Sequence, residues 1–323
     1  MADSADILNH LLGHPPQSSH HMRYNFLVPN MRGLENYLKA SDKSQGNETT
    51  SKEGPPAENT STQDPNQMPS GNSNEPIEPH PSMKQEEDAP APNTSTNNPN
   101  EMPSKTSSAS QPFSTEISLF AAATEAFSKA NTNCTIAESL ERCKSITALA
   151  KSKGVRVRGY VSVALGCPYE GPDVSPHKVA EITRSLLEMG ADEVSVADTT
   201  GMGTAPRTRN LLKALSAAGI ANQDLALHFH DTYGQALVNT MVGLDHGIRI
   251  FDSSVGGLGG CPYSKGATGN LATEDLNYLL HSLGMETGID TTKMAEIGSW
   301  ICKEIGKAND SRAGKALLAR TSA

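Results

Sequence analysis

Six short apolar runs, separated by amphipathic stretches of helical period, constrain the fold of this chain more than any other feature. The runs are Phe26–Pro29, Glu116–Ala121, Val155–Leu165, Glu193–Asp198, Asp224–His230 and Ile248–Val255. Between them the helix signals are specific. Ser175 stands at an N-cap with Pro176 in the first helical position, Val179, Ile182, Leu186 and Met189 share one face, and Gly190 closes the segment. Thr204 opens a helix carrying Leu211, Leu212 and Leu215 that stops at Gly219, and a third runs from Gln235 to about His246 and ends at Gly247. The N-terminal piece Asp6–Leu12 also reads as a helix. Strands joined by helices at this spacing pair in parallel through right-handed crossovers, which leaves a doubly wound sheet or a closed barrel. The barrel is favoured, because Asp198, His228, His230 and the glycine-rich loop around Cys261 all fall at or beyond the carboxyl ends of strands, where barrels gather functional groups. The expected fold class is therefore α/β, a (β/α)8 TIM barrel with about six of its eight strands present and two expected before residue 1.

Composition removes part of the chain from that barrel. Residues 41–112 are built from Ser, Thr, Asn, Pro, Glu, Gln and Lys, contain no Phe, Tyr or Trp, and have Ile77 as their only branched aliphatic side chain. Such a segment cannot bury enough apolar surface to offset the entropy of ordering it, and it reads as a disordered low-complexity insert. Within it Asn59 to Ser70 nearly repeats as Asn93 to Ser104. The expected organisation is residues 1–40 as an N-terminal piece of the barrel, 41–112 as the insert, 113–309 as the rest of the barrel, and 310–323 as a C-terminal tail.

A formal charge of -9 without a basic stripe argues against a nucleic-acid partner. No apolar run is long enough to span a bilayer, so no membrane partner is expected. Five cysteines without CxxC spacing suit reduced thiols. The start, Met1-Ala2-Asp3-Ser4-Ala5-Asp6, has neither a secretory apolar core nor the Arg-rich character of an organelle presequence, which points to a cytoplasmic setting.

His228 and His230 are one residue apart on a strand, so both imidazoles point to one face. That spacing suits two ligands of one divalent metal, and is preferred to a pair of hydrogen-bonded inward histidines. With an oxygen donor such as Asn270 the set suits Mg²⁺ or Mn²⁺, with Zn²⁺ as an alternative. Asp198 is followed by Thr199-Thr200-Gly201, a turn that aims its carboxylate into the barrel mouth or, equally well on local grounds, caps a helix. Arg158, Tyr160 and Ser162 alternate on one strand face, where polar groups are costly unless paired or used. Cys261 sits among glycines in VGGLGGCPYSKGATGN (Val255 to Asn270), a pattern for a hinged loop that delivers a thiol. Cys167-Pro168-Tyr169 lacks such hinges and reads as structural.

The segments Ser253–Asp275 (SSVGGLGGCPYSKGATGNLATED), His228–Leu237 (HFHDTYGQAL), Arg158–Gly171 (RGYVSVALGCPYEG), Ser195–Thr204, Leu119–Ser139 and Phe26–Ala40 together resemble the hydroxymethylglutaryl-CoA lyases, within the metal-dependent aldolase-type barrel lyases and synthases. The cysteine loop separates these lyases from the related isopropylmalate and homocitrate synthases. The resemblance implies His228, His230 and Asn270 as metal ligands, Cys261 as the catalytic cysteine, Asp198 as an acidic residue near the substrate hydroxyl, and Glu274 as a support of the site. Ser195 and Thr199 join Arg158 and Tyr160 as substrate-binding candidates. The implied reaction cleaves 3-hydroxy-3-methylglutaryl-CoA to acetyl-CoA and acetoacetate, as in leucine breakdown and ketone-body formation, with an acyl-CoA as substrate. His228 or Asp198 is expected to take the hydroxyl proton, and Cys261 to return a proton to the enolate. A mitochondrial setting also follows from the resemblance, and a homodimer is a further expectation. The family's first strand carries an Arg-Asp pair that has no counterpart in this sequence, so two other readings stay open: a non-catalytic paralogue that binds metal or acyl-CoA, and a related acyl-CoA-dependent synthase.

Overall fold

The structure is a computed structural model and describes residues 4–14, 21–45, 113–260 and 269–321, all within one compact unit. Six strands form one all-parallel sheet in chain order: β1 (Met22–Leu27), β2 (Phe113–Ala122), β3 (Arg156–Ser162), β4 (Glu193–Asp198), β5 (Leu225–Phe229) and β6 (Phe251–Asp252). Helices alternate with them: α1 (Ser4–Gly13) and, after β1, α2 (Met31–Gln45); α3 (Glu125–Thr132) and α4 (Ile136–Ser152); α5 (Pro176–Glu188); α6 (Ala205–Ala217); α7 (Ala236–Asp245); then α8 (Thr273–Ser282), α9 (Thr291–Glu304) and α10 (Arg312–Thr321). The architecture is a TIM half-barrel, with β1 and β6 each paired to one neighbour among the described residues.

Local chemistry explains the helix starts. Thr135 and Glu138 form a reciprocal capping box at α4, the Ser175 hydroxyl accepts from the Lys178 amide ahead of α5, and Asp290 accepts the Thr292 and Lys293 amides at α9. Val157, Val161, Val194, Val196, Leu225, Leu227 and Phe229 face outward from the sheet and join one buried apolar cluster with Ile146 of α4, Ile182 and Leu186 of α5, and Leu211 and Leu215 of α6. The opposite face of the same strands carries Arg158, Tyr160, Glu193, Ser195 and His228, so period-two alternation divides the sheet into an apolar outer and a polar inner surface.

Three boundaries differ from expectation. Strand β1 lies earlier than Phe26–Pro29, because polar Arg23 and Asn25 belong to it, and Asn25 Nδ2 donates to Glu116 on β2 (3.0 Å). Helix α2 runs on to Gln45, past the expected start of the insert at residue 41; residues 46–112 lie outside the described residues. The expected C-terminal tail contains a packed helix: Asp275 of α8 accepts from the Ser311 hydroxyl and from the Arg312 and Ala313 amides, satisfying the open N–H groups at the start of α10. The described cysteines, Cys134, Cys143, Cys167 and Cys302, are buried and unpaired.

Candidate active site

Register puts the inner-face residues of neighbouring strands level with one another. Tyr160 lies opposite Ser195, Ala197 opposite His228, and His228 opposite Asp252. The Asp252 carboxylate receives Arg158 Nη2 at 2.7 Å and the Ser195 hydroxyl at 2.8 Å, and its Oδ2 stands 3.5 Å from His228 Nδ1. Burial alone would raise its pKa, but the His228 hydrogen bond, the Arg158 guanidinium and the Ser195 hydroxyl together hold it below the usual carboxylate range. Arg158 also pairs with Glu193, Nε to Oε1 at 2.9 Å, and its guanidinium lies 5.1 Å from the Tyr160 ring centre. Tyr160 in turn stacks on Phe120 at 5.0 Å.

Arg158 and Ser195, both expected among the substrate-binding residues, are not among the residues that line the cavity beside the histidine pair. Ser195 is buried and Arg158 partly so, and the Ser195 hydroxyl and the Arg158 guanidinium are engaged by Asp252 and Glu193. Asp252 is the inner-face residue that sequence reasoning missed. The signal for it was the arginine itself, since a buried guanidinium on a barrel's inner face requires carboxylates level with it.

The imidazoles of His228 and His230 lie 5.1 Å apart, centre to centre. His230 and Asn270 are joined by an antiparallel backbone bridge, which brings the Asn270 amide beside them. Asn270 Nδ2 donates to the Leu258 carbonyl at 2.9 Å, leaving Oδ1 as the free oxygen. Both His230 Nδ1 and Asn270 Oδ1 are buried without a hydrogen-bond partner. Burial, helped by the neighbouring His228, lowers the His230 pKa to about 4, so its imidazole is neutral and keeps a lone pair near neutral pH. Two buried polar atoms without partners beside a second imidazole are costly, and a cation meets both when the His230 lone pair is on Nδ1. Nitrogen and amide-oxygen donors of this kind fit a divalent cation. Among the described residues no group of three or more His, Cys, Asp and Glu side chains is placed to hold a metal, so the donor set is mixed and contains no carboxylate. His228, His230, Asn270, Tyr160 and Ser162 line one cavity of about 660 Å³ together with Gly260. A second cavity of about 640 Å³, beside Arg249 and Leu276, contains none of these groups.

Asp198 does not open into the cavity. It lies three residues from Ser195, hence on the opposite face of β4, where its Oδ2 accepts the Gly203 amide at 2.9 Å. The neighbours Ala197 and Thr199 line the cavity in its place. It caps no helix either, because α6 has Thr204 as its N-cap and the Gly203 amide precedes it. Thr199 accepts the Val163 amide at 2.8 Å and so stabilises a β-branched residue at φ 55°, where β3 ends three residues earlier than expected.

Burial raises the Asp198 pKa from the ordinary 3.8 to about 6, against the Gly203 and Gly201 amides and His228, which lower it. A carboxyl whose pKa rises on folding stabilises the native state most below its unfolded pKa, and that contribution is lost as pH rises to about 6. Asp198→Asn is therefore expected to gain roughly 2–4 kcal/mol relative to wild type between pH 4 and pH 7, read from urea unfolding at the two pH values.

Glu274, at the start of α8, is fully buried, and both its oxygens face the Gly256 amide at 3.0 and 2.9 Å. Burial raises its pKa. Gly256 has φ 62°, and a β-carbon there would meet Cys302 Sγ at 2.8 Å; at Gly259 it would meet Asn270 Nδ2 at 2.6 Å. The stem of the cysteine loop is thus held to α8 and passes close over the amide donor. Cys261 itself lies outside the described residues, one position beyond the cavity-lining Gly260. Glu274→Ala strands the buried Gly256 N–H and is expected to cost about 1–3 kcal/mol in urea unfolding.

Fold and donor set together define an α/β half-barrel protein with a candidate cation site at the carboxyl ends of its strands. Residues 105–301 match the HMGL-like family model, and the chain belongs to that family. It is 55% identical over 205 residues to the 3-hydroxy-3-isohexenylglutaryl-CoA/hydroxy-methylglutaryl-CoA lyase of Pseudomonas aeruginosa, covering 64% of this chain and 68% of that relative. It is 49% identical over 201 residues to the mitochondrial hydroxymethylglutaryl-CoA lyase of Bos taurus, covering 62% of this chain and 61% of that relative. The crystal structure of hydroxymethylglutaryl-CoA lyase from Pseudomonas aeruginosa superposes with a TM-score of 0.71 at 38% identity, over 99% of this chain and 80% of that one.

Proposed function

We propose that this protein is a carbon–carbon lyase that cleaves 3-hydroxy-3-methylglutaryl-CoA to acetyl-CoA and acetoacetate, with a divalent cation, Mg²⁺ or Mn²⁺, held by His228, His230 and Asn270. The observation that carries the reading is the pair of buried, unpartnered polar atoms, His230 Nδ1 and Asn270 Oδ1, beside His228 in a cavity bordered by Gly260. When bound, the cation polarises the tertiary hydroxyl and lowers its pKa. The protein's own groups supply the rest. Tyr160 and Ser162 face the cavity and orient substrate, and burial pushes the Tyr160 phenol up, so it stays a hydrogen-bond donor. Of the two residues considered for the hydroxyl proton, His228 lines the cavity while Asp198 is turned to the other face of β4; a His228 that holds the cation keeps no lone pair for that proton. Cys261 is the acid that returns a proton to the enolate of acetyl-CoA. The relatives' names include both mitochondrial and cytoplasmic forms, so both expected settings fit. Exposed Tyr278, Ile297 and Trp300 on α8 and α9 suit a homodimer.

Incubating the full chain with the CoA thioester and Mn²⁺ tests the reading: acetoacetate and acetyl-CoA are expected in equal amounts, lost with EDTA and restored by excess Mn²⁺. A donor set without a carboxylate among the described residues favours a second reading, a metal-binding protein without turnover. Bound Mn²⁺ with no product at high protein concentration would select it.

A further inference from the structure

We infer that Asp252 is a positioning residue that fixes His228 in the tautomer with its proton on Nδ1, leaving the Nε2 lone pair for the cavity. The inference rests on the reading of His228 as a donor at the cation site. Asp252 belongs to the shortest strand of the sheet and pairs with β5 alone, yet its carboxylate meets side chains from three other strands. Its Oδ1 is taken by Arg158 of β3, and its Oδ2 by Ser195 of β4 and by the Nδ1 side of His228 on β5. Arg158 is itself held by Glu193 and by the Tyr160 ring, so the row Glu193, Arg158, Asp252, His228 ties four strands together.

Chemistry then decides the tautomer. An ionised carboxylate is acceptor-only, so an imidazole nitrogen facing it is favourable when it carries the proton and repulsive when it presents a lone pair. With Nδ1 protonated, the remaining lone pair is on Nε2, across the ring from Asp252. A carboxylate behind a ligating histidine fixes ring orientation and raises donor strength, and losing such a partner typically weakens metal binding 10–100-fold. A purely structural account has Asp252 only pinning the β6 edge to Arg158, and it makes no demand on the His228 proton.

Asp252→Asn separates the two. The amide can still accept from Arg158 or Ser195 through its oxygen while turning an NH₂ toward His228, which pushes the imidazole proton to Nε2. Imidazole ¹⁵N shifts of the metal-free full chain, near pH 8, are expected to show His228 protonated at Nδ1 in wild type and at Nε2 in Asp252→Asn. Mn²⁺ affinity should fall about 10–100-fold in the variant. Asp252→Glu keeps an acceptor and is expected to retain the wild-type tautomer, which keeps the test open if the asparagine variant folds poorly. A wild-type His228 protonated at Nε2, or the same tautomer in wild type and Asp252→Asn, overturns the inference. If wild type binds no Mn²⁺, the cation reading fails while the ¹⁵N shifts still decide the role of Asp252.

Discussion

Cys261→Ser is expected to lower turnover about 10²–10⁴-fold while leaving Mn²⁺ affinity within about twofold of wild type. The thiol is assigned to proton return, not to cation binding, and the donors assigned to the cation are His228 on β5, His230 just beyond it, and Asn270 at the far end of the loop, nine positions from Cys261. Serine keeps size and polarity but is a far weaker acid than a thiol. The loss should therefore fall on kcat, with KM nearly unchanged, because substrate and cation contacts survive. Steady-state rates with the CoA thioester, set beside Mn²⁺ titrations of the same samples, separate the two effects.

His230→Ala is expected to do the reverse: Mn²⁺ affinity falls by more than about 100-fold, and activity at limiting metal falls with it. Partners that only support a ligand are worth 10–100-fold, so a ligand should exceed that. Fold stability without metal should change little, because the deleted ring carries an unpartnered buried nitrogen whose desolvation offsets its packing. Isothermal titration with Mn²⁺ alongside thermal melts of metal-free protein checks both statements. If affinity dropped equally in Cys261→Ser and His230→Ala, the division of labour between thiol and imidazole would be wrong.

Much of this arrangement was legible in the residues. Strand β4 matches its apolar run, β2, β3 and β5 coincide with theirs to within a few residues, and the helices at Ser175, Thr204 and Gln235 begin and end within two residues of their signals. Those segments alternate cleanly because they are buried on their outer face by a continuous helical layer. The edges were less legible. At β6 the apolar run Ile248–Val255 is longer than the two paired residues, because Arg249 turns back onto the Leu244 and Ile248 carbonyls and Ser254 bridges to Ala272 instead. At β1, inward polar side chains hid the strand, since Arg23 is paired with Glu116 and Asn25 is satisfied by Glu116 and Ser118, all more than ninety residues away in sequence.

The site divides the same way. His228, His230 and Asn270 are brought together, two by strand spacing and the third by a backbone bridge that no local pattern announces. Grouping Asp198 with Ser195 conflicted with period-two alternation, and a strict count along Glu193–Asp198 separates them. Asp252 was hidden because its meaning depends on Arg158, whose partner it becomes only once β3 and β6 face the same interior.

Pulsed EPR of Mn²⁺ bound to the full chain tests the cation site most directly, because coupling to imidazole ¹⁴N counts the histidines at the metal. Two coupled imidazoles are expected in wild type and one in His230→Ala. A bound ion that shows no imidazole coupling, held by oxygen alone, would contradict the account.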